Sequence, residues 1–266
     1  MVLHIFLGLL LLLIPAGALY LFDRSLLRTL GIAVVRMVAQ LLVLCLIVWA
    51  LVKYDKFWLS LLWLVLLAVV SGVLALRRMK LPIAKFLLPV SAGLLVSALL
   101  VGSYLLWVCL PAENGFGARW FVPVMALLVG QTLTAIIRGL STYQSALKAD
   151  EQQYEFLRGN GTNHLQAVLP FVRRALQQVF APTAANLSVM GVYAMPLLLC
   201  GIFVAGVAPI NAFVVTLQLI FGCLAASVIA LAITLWLADR QLFDKYGKLM
   251  FKETRRQGVQ GVQDNT

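Results

Sequence analysis

The chain has 266 residues, of which 62% are hydrophobic and only 12% are charged, and its formal net charge is +11 at pH 7. This excludes a soluble globular domain, in which about 25% of residues are charged. A bilayer core about 30 Å thick needs roughly 20 apolar residues per helix, so the length holds at most about eight spans and excludes a large soluble domain. The basic residues lie between apolar runs and not in patches, which argues against a nucleic-acid partner and makes the lipid bilayer the expected environment.

Seven apolar segments are long enough to form transmembrane helices. They are residues 3–22, 30–52, 57–76, 86–110, 120–141, 184–206 and 210–238. Segments 61–70 and 94–110 are apolar on every face, which favours helices over the alternating strands of a membrane barrel. The first segment is interpreted as a retained helix because no cluster of basic residues precedes it. A cleaved signal peptide is the alternative, since Ala-Gly-Ala follows Pro15.

The basic residues are distributed unequally between the two sides of the predicted bundle. The side that carries the loop after span five and the carboxyl-terminal tail holds 17 Lys and Arg residues, the opposite side holds three, and Arg36 lies within span two. Because basic residues concentrate in cytoplasmic loops, we expect a multi-pass protein of the plasma (inner) membrane with its amino terminus outside and its carboxyl terminus in the cytoplasm. Residues 1–240 would form the transmembrane domain, and residues 241–266 a basic cytoplasmic tail.

Residues 143–182 form a sizeable loop between spans five and six with a helical pattern. A short acidic helix runs into Phe156 and Leu157, the glycines of residues 158–162 break it, and a second helix follows in which apolar residues recur every three or four positions. Pro170 is expected to kink the second helix or to change its direction. The loop is either an amphipathic element that lies on the membrane surface or a docking element that receives a push from a soluble motor subunit. The predicted fold class is all-α, a polytopic membrane protein of about seven transmembrane helices with a cytoplasmic helical coupling loop.

A set of polar, small and kinking residues recurs at a recognisable spacing. Arg36 and Gln40 form an Arg-x-x-x-Gln pair in an early span, and Glu155 precedes a Gly-Asn-Gly-Thr turn. Further along the chain come Pro182, Thr183, Met195, Pro196, Gly201, Gly206, Pro209, Ala212 and Gln218. In these motifs, spread over most of its length, the chain resembles the Fet-type (FetB-like) iron-export ABC transporter permeases of bacteria, whose plant relatives are linked to aluminium tolerance.

Two positions depart from the pattern of that family. Residues 197–199 are leucines where the family has Gly-Met-Met, and Gln131 stands where an asparagine is usual. Losing the paired methionines removes soft donors that would contact a metal, which weakens iron as the substrate but leaves the permease assignment intact.

The resemblance implies a membrane-spanning permease subunit of an ATP-driven exporter, with metal (iron) export and metal homeostasis as its role. A permease homodimer with two copies of a soluble ABC ATPase subunit would be expected. The chain is then not an enzyme and binds no cofactor: it has no GxxxxGK[ST] loop for nucleotide phosphates, so ATP would act through the partner subunit. In this picture the residues of the coupling loop that dock on the ATPase are Glu155, Leu157, Gly159, Gly161 and Thr162.

Several residues within the spans are candidates for the translocation pathway or its gate. They are Arg36, Gln40, Gln131, Met195, Pro196, Gly201, Gly206, Pro209 and Gln218. Arg36 lies roughly 10 Å from the end of its helix, where it either serves function or snorkels to the headgroups. The polar residues of spans five and seven either line a path or form interhelical hydrogen bonds. The prolines and glycines of residues 196–209 suit a hinge or close packing, and any metal ligands are unknown.

No Asp or Glu lies at predicted mid-membrane depth, which argues against an ion-coupled carrier or channel. That class, and a membrane-embedded assembly factor, are the alternatives, with unknown substrate. The absence of HExxH argues against a membrane metalloprotease. His4 and His164 are expected at the surface. The four cysteines are expected to be packed core residues without disulfides.

Overall fold

The computed structural model describes residues 17, 20, 24–109, 117–193 and 197–242, and nearly all of them lie in helices. The chain divides into two units, residues 1–54 and 55–266, which are described separately. In the first unit, helix α1 comprises Arg24–Tyr54. It contains the predicted second span, because its leucine- and valine-rich sequence has no internal proline. Near its end the Lys53 ammonium lies 5.0 Å from the centre of the Trp49 ring, a pairing suited to a membrane interface.

In the described residues of the second unit there are seven further helices. In chain order these are α2 (Phe57–Met79), α3 (Ile83–Tyr104, continued by a π-helical turn Leu105–Cys109), α4 (Ala118–Ala149), α5 (Glu151–Gly159), α6 (His164–Tyr193), α7 (Leu197–Val204) and α8 (Pro209–Leu242). Five helices in the described part of the chain are long and apolar enough to cross a membrane: Arg28–Tyr54, Phe57–Met79, Ile83–Cys109, Ala118–Ala149 and Pro209–Leu242. These confirm the predicted spans two, three, four, five and seven and the all-α, polytopic fold class. The first predicted span lies outside the described residues except for Gly17 and Tyr20.

The sixth predicted span, residues 184–206, begins inside a longer helix. Its first part belongs to α6, which begins twenty residues earlier at His164; residues 194–196 lie outside the described residues, and Leu197–Val204 are helical as α7. Helix α6 continues through Pro170 because a buried stripe extends along it on both sides of the proline. The stripe consists of Ala167, Val168, Phe171, Ala175 and Val179. The amphipathic loop helix and the start of the predicted span are therefore one continuous helix, which the packing of this stripe stabilises.

Helix α8 packs most extensively against α3 and α4. Its contact with α3 is close because Gly93 faces the Thr234 side chain there, and a Cβ on Gly93 would also lie 2.9 Å from the carbonyl oxygen of Ala230. Small residues let transmembrane backbones approach in this way, where dispersion contacts replace the hydrophobic effect as the source of association.

The amino-terminal ends of α2 and α4 are joined by a side chain that precedes α2. Asp55 has a left-handed backbone, with φ of 39°, and its carboxylate accepts a hydrogen bond of 2.8 Å from the amide of Ala118 in the first turn of α4. An anion at this position satisfies a free amide and interacts favourably with the helix dipole. Nearby, the Phe57 and Phe121 rings pack edge to face at 6.0 Å between centroids. These contacts fix α2 beside α4 at one end of the bundle.

Candidate functional site

A helical hairpin, formed by α5 and α6, follows the long helix α4. Helix α5 ends at Gly159 and the turn is closed by Gly161, which has a φ of 81°. The Gly161 amide donates to the Arg158 carbonyl oxygen at 3.1 Å, and the Thr162 amide donates to the Leu157 carbonyl oxygen at 3.2 Å. This is the bonding of a Schellman helix end, which places glycine in the left-handed position. The helix break lies where the sequence predicts it.

The hairpin has one inner and one outer face. Tyr154 is buried, with 2% of its surface exposed, whereas its neighbour Phe156 is 68% exposed and Leu165 on α6 is 66% exposed. Of the residues predicted to form the coupling loop, Glu155, Gly159 and Gly161 are exposed and Leu157 and Thr162 are half-buried. The outer face therefore combines charge with uncovered apolar side chains, which is typical of an interaction surface.

Four polar side chains connect the inner face of the hairpin to two long helices. His164, the first residue of α6, lies between Tyr154 of α5 and Asp239 near the end of α8; its Nδ1 is 3.0 Å from the Tyr154 hydroxyl oxygen and its Nε2 is 2.7 Å from Asp239 Oδ2. The second carboxylate oxygen of Asp239 accepts a hydrogen bond of 2.8 Å from the hydroxyl of Tyr143 on α4. We call these four side chains the anchor network: Tyr143, Tyr154, His164 and Asp239.

The Tyr154 phenol of the anchor network is protonated at neutral pH. Burial raises its pKa above the ordinary value of 10; Arg158 opposes this and the Asp239 carboxylate adds to it. With a neutral His164 ring that carries its proton on Nε2, the Tyr154 hydroxyl donates to Nδ1 and the Nε2–H donates to Asp239. Asp239 then accepts two hydrogen bonds, one from His164 and one from Tyr143.

The expectation that His164 is a surface residue is wrong. Its side chain is 29% exposed and both ring nitrogens have partners. Asp239 is 75 positions away in the sequence, so no local pattern signals this contact. Its two partners lie on two other helices, α5 and α8, and the contact with α8 depends on tertiary packing.

A second contact ties the hairpin to α4. Arg174 of α6 forms an ion pair with Asp150, the residue that separates α4 from α5. Both side chains are well exposed, so solvent screening limits the pair to less than about 1 kcal/mol. The anchor network, which is less exposed, is the stronger of the two attachments.

A cavity of about 540 Å³ lies between α4, α6 and α8. Its walls are mainly apolar, with neutral polar groups from all three helices and one guanidinium, that of Arg138. The lining residues are Leu127, Gln131, Thr134, Ala135, Arg138, Val179, Phe180, Thr183, Leu187, Thr216, Leu219, Ile220, Cys223, Leu224 and Ser227. The hydroxyls of Thr134 and Thr216 donate to carbonyl oxygens of their own helices at 2.8 Å. These threonines therefore line the cavity without bonding across to a neighbouring helix.

The predicted pathway residues fall in several places. Gln131 lines the cavity, whereas Gln218 is half-buried on α8 and its Oε1 has no hydrogen-bond partner in the described part of the chain. Arg36 and Gln40 lie one turn apart on α1, in the first unit. From the sequence, Arg138 was used only to assign the cytoplasmic side of the membrane and was not predicted to line a cavity. A basic residue near the end of an apolar span is compatible with both roles.

Gly201, Gly206 and Pro209, near the end of predicted span six, are not among the residues that line this cavity. Gly206 ends α7 in a left-handed conformation, with φ of 85°, and its amide donates to the Phe203 carbonyl oxygen at 2.9 Å. Gly201 is exposed within α7, and Pro209 is the first residue of α8. Met195 and Pro196 lie outside the described residues. Gly206 therefore has a local role in ending a helix, and the gate interpretation of this segment stays a prediction.

The described residues contain no group of three or more His, Cys, Asp or Glu side chains placed to hold a metal ion. His164 and Asp239 are adjacent, but the other two members of their network are tyrosines that hold both of them in hydrogen bonds. The arrangement binds helices to one another, and its chemistry is that of a structural connection.

Comparison with known proteins places the chain in a family. The model of the uncharacterised protein family UPF0014 matches residues 2–243. The UPF0014 membrane protein slr1647 of Synechocystis sp. is 24% identical over 218 residues, covering 81% of this chain and 83% of that protein. The UPF0014 membrane protein YjkA of Bacillus subtilis is 22% identical over 222 residues, covering 84% and 87%. The probable iron export permease protein FetB of Escherichia coli is 18% identical over 135 residues, covering 51% and 52%. No solved structure matches significantly. The chain belongs to the UPF0014 family, whose curated relatives in Synechocystis and Bacillus are membrane proteins.

Proposed function

We propose that this chain is the membrane-spanning permease subunit of an ATP-driven ABC exporter. The observation that carries the proposal is the anchor network, because it joins an exposed helical hairpin to the helices that line a cavity. The similarity to a probable iron export permease supports the same role, with iron as the metal cargo and metal homeostasis as the outcome. ATP would be bound and hydrolysed by a separate soluble ATPase subunit, and this chain would bind no cofactor of its own.

The anchor network provides a short mechanical connection between the hairpin and the cavity. On α4, Tyr143 lies five residues beyond Arg138, a rise of about 7.5 Å. On α8, Asp239 lies twelve residues beyond Ser227, a rise of about 18 Å. Helix α6 begins in the network and continues into the cavity wall at Val179. A displacement of the hairpin therefore acts on all three walls through side chains in direct contact.

The outer face of the hairpin is the proposed docking surface for the ATPase. Phe156 and Leu165 supply apolar anchors of the kind that dominate interface energies, and Glu155 supplies a charge for orientation. Leu157, Gly159, Gly161 and Thr162 shape the turn that presents them. Two permeases with two ATPase subunits would form the complete transporter, with the permease homodimer enclosing the path.

The proposed orientation follows from the charge distribution. The side that holds 17 basic residues would be cytoplasmic, which puts the hairpin and the tail within reach of a soluble ATPase. The protein would reside in the bacterial inner membrane with its amino terminus outside. Residues 1–240 would form the permease domain, with the coupling loop at 143–182, and residues 241–266 the basic tail.

Co-purification with the soluble ABC ATPases of the source organism tests the docking surface. Glu155→Lys and Phe156→Asp should each abolish co-purification, because they reverse the charge or place a carboxylate in an apolar contact. Lys56→Glu is the matched control: it changes charge by the same amount at an exposed site between α1 and α2. Unchanged co-purification of both hairpin variants would contradict the proposed docking surface.

Iron as cargo has its own test. Deleting the gene should raise cellular iron, and expressing the chain with its ATPase should restore it. Unchanged metal content would remove iron from the proposal, and transport that continues without ATP would point to a carrier or channel instead.

A further inference from the structure

We propose that the cavity between α4, α6 and α8 binds an amphipathic organic anion. Its acidic group would pair with Arg138 and its apolar part would lie against the leucine and isoleucine side chains of the walls. The inference deepens the proposed function, on which it rests in treating this cavity as the cargo site.

The charge of the cavity selects an anion. Arg138 is the one charged residue among the fifteen that line it, and in the described part of the chain no carboxylate pairs with its side chain. A guanidinium beside apolar helices gains most from a partner of opposite charge, and it binds carboxylates and phosphates through two parallel hydrogen bonds. The cavity thus supplies the positive charge and lacks the negative one.

The polar groups are arranged around that charge. Gln131, Thr134 and Arg138 occur at positions i, i+3 and i+7 of α4, so they share one face of the helix. Thr183 of α6 and Ser227 of α8 bring hydroxyl groups from the other two walls. All three hydroxyls donate to carbonyl oxygens of their own helices. The Gln131 amide and the Arg138 guanidinium are therefore the donors for the oxygen atoms of a ligand, whereas the leucines between them favour hydrocarbon.

The volume of the cavity and the side chains that line it argue against a bare metal cation as its ligand. A volume of about 540 Å³ is in the range of small-molecule sites, whereas an ion with six waters occupies only about 200 Å³ at about 30 Å³ per water. The lining residues include no Asp, Glu or His, which are the ligands that iron and other transition metals prefer over hydroxyls and amides. A metal that follows this path would therefore travel as an anionic organic complex.

Thiol labelling inside the cavity measures its charge preference. Thr134 is exposed and lies one turn from Arg138, so Thr134→Cys, in a chain whose four native cysteines are replaced by serines, places a thiol beside the guanidinium. Two methanethiosulfonates with the same ethyl arm, one a sulfonate and one a trimethylammonium, are compared by their labelling rates. The ratio of sulfonate rate to trimethylammonium rate should fall about tenfold in Arg138→Gln and be kept in Arg138→Lys.

Protection from labelling tests the ligand class directly. In the Thr134→Cys chain that keeps Arg138, 2-naphthoate should slow the labelling of the introduced thiol, whereas 2-naphthamide and 2-naphthylmethylammonium, which have the same ring system, should not. Ferrous ion alone should also give no protection. This ligand series needs no substitution at Arg138, so it remains decisive if Arg138→Gln does not fold.

A ratio of labelling rates that is the same with Arg138 and in Arg138→Gln would overturn the proposal. Protection by ferrous ion, or by the ammonium in place of the carboxylate, would overturn it equally. The measurements use the full permease in lipid nanodiscs without its ATPase. A failure of the ATPase to bind would therefore count against the proposed function and leave this result untouched.

Discussion

Replacing Asp239 with alanine should loosen the hairpin without unfolding the bundle. The substitution removes two hydrogen bonds, of 2.7 Å from His164 and 2.8 Å from Tyr143, and leaves both donors in a partly buried place. A hydrogen bond to a charged group contributes about 1.5 kcal/mol at the lower end of its range, which fits a side chain that is 17% exposed. The bond with Tyr143 joins α4 to α8 and stays intact when the hairpin opens, so only the bond with His164 counts. About 1.5 kcal/mol corresponds to a roughly tenfold rise in the opening equilibrium of the hairpin.

Hydrogen exchange followed by mass spectrometry measures this opening. Peptides that cover residues 151–165 should exchange roughly tenfold faster in Asp239→Ala, whereas peptides of α2 and α3 should keep their rates. Asp150→Ala is the matched control, because it removes a carboxylate from the same hairpin but breaks only the exposed pair with Arg174. It should accelerate exchange less than about fivefold. Equal effects of the two variants, or no acceleration in Asp239→Ala, would refute the idea that the anchor network holds the hairpin.

Three further changes have defined outcomes. Gly161→Ala should destabilise the hairpin by about 1 kcal/mol, because alanine is strained at a φ of 81°, and faster proteolysis of the turn would register it. Gly93→Ala should lower the melting temperature, since its Cβ would collide with Thr234, whereas Gly130→Ala, where a Cβ meets nothing within 4 Å, should not; equal melting temperatures would contradict the close contact of α3 and α8. Tyr154 has a raised pKa in the folded hairpin, so its contribution to stability is complete below pH 10 and falls as the pH rises beyond that, where the opened phenol ionises first. Limited proteolysis between about pH 9 and 11 should show this loss in the native chain and not in Tyr154→Phe, and identical pH profiles would argue against it.

Hydropathy predicted the long spans because burial in a bilayer acts on each segment separately. The start of the sixth span was predicted too late in the chain, for a different reason. Arg173 and Arg174 interrupt the apolar run, and Pro170 and Pro182 are expected to break a helix, yet packing holds α6 together from His164 to Tyr193. Local sequence does not predict that the helix continues through these residues, since this depends on what the buried stripe of α6 contacts.

The candidate site was predictable only in part. Gln131 was recognised because an amide within an apolar span is conspicuous, and the glycine turn at 159–161 because its residue types specify a left-handed conformation. The contact of His164 with Asp239 joins residues 75 positions apart and requires the fold. In the sequence nothing distinguishes Arg138 from other basic residues at a membrane boundary, because the cavity that it lines is formed by three helices distant in the chain.

The contact between His164 and Asp239 also has a consequence for the cavity, because it joins two of the three helices that line it. Helices α6 and α8 are linked along the chain at one pair of ends, through residues 194–208, and in the described part of the chain this side-chain contact links the other pair of ends. The walls that the two helices contribute to the cavity lie between these connections. In the proposed transporter, breaking the side-chain contact would let one pair of ends separate, whereas the chain itself would limit the separation of the other pair.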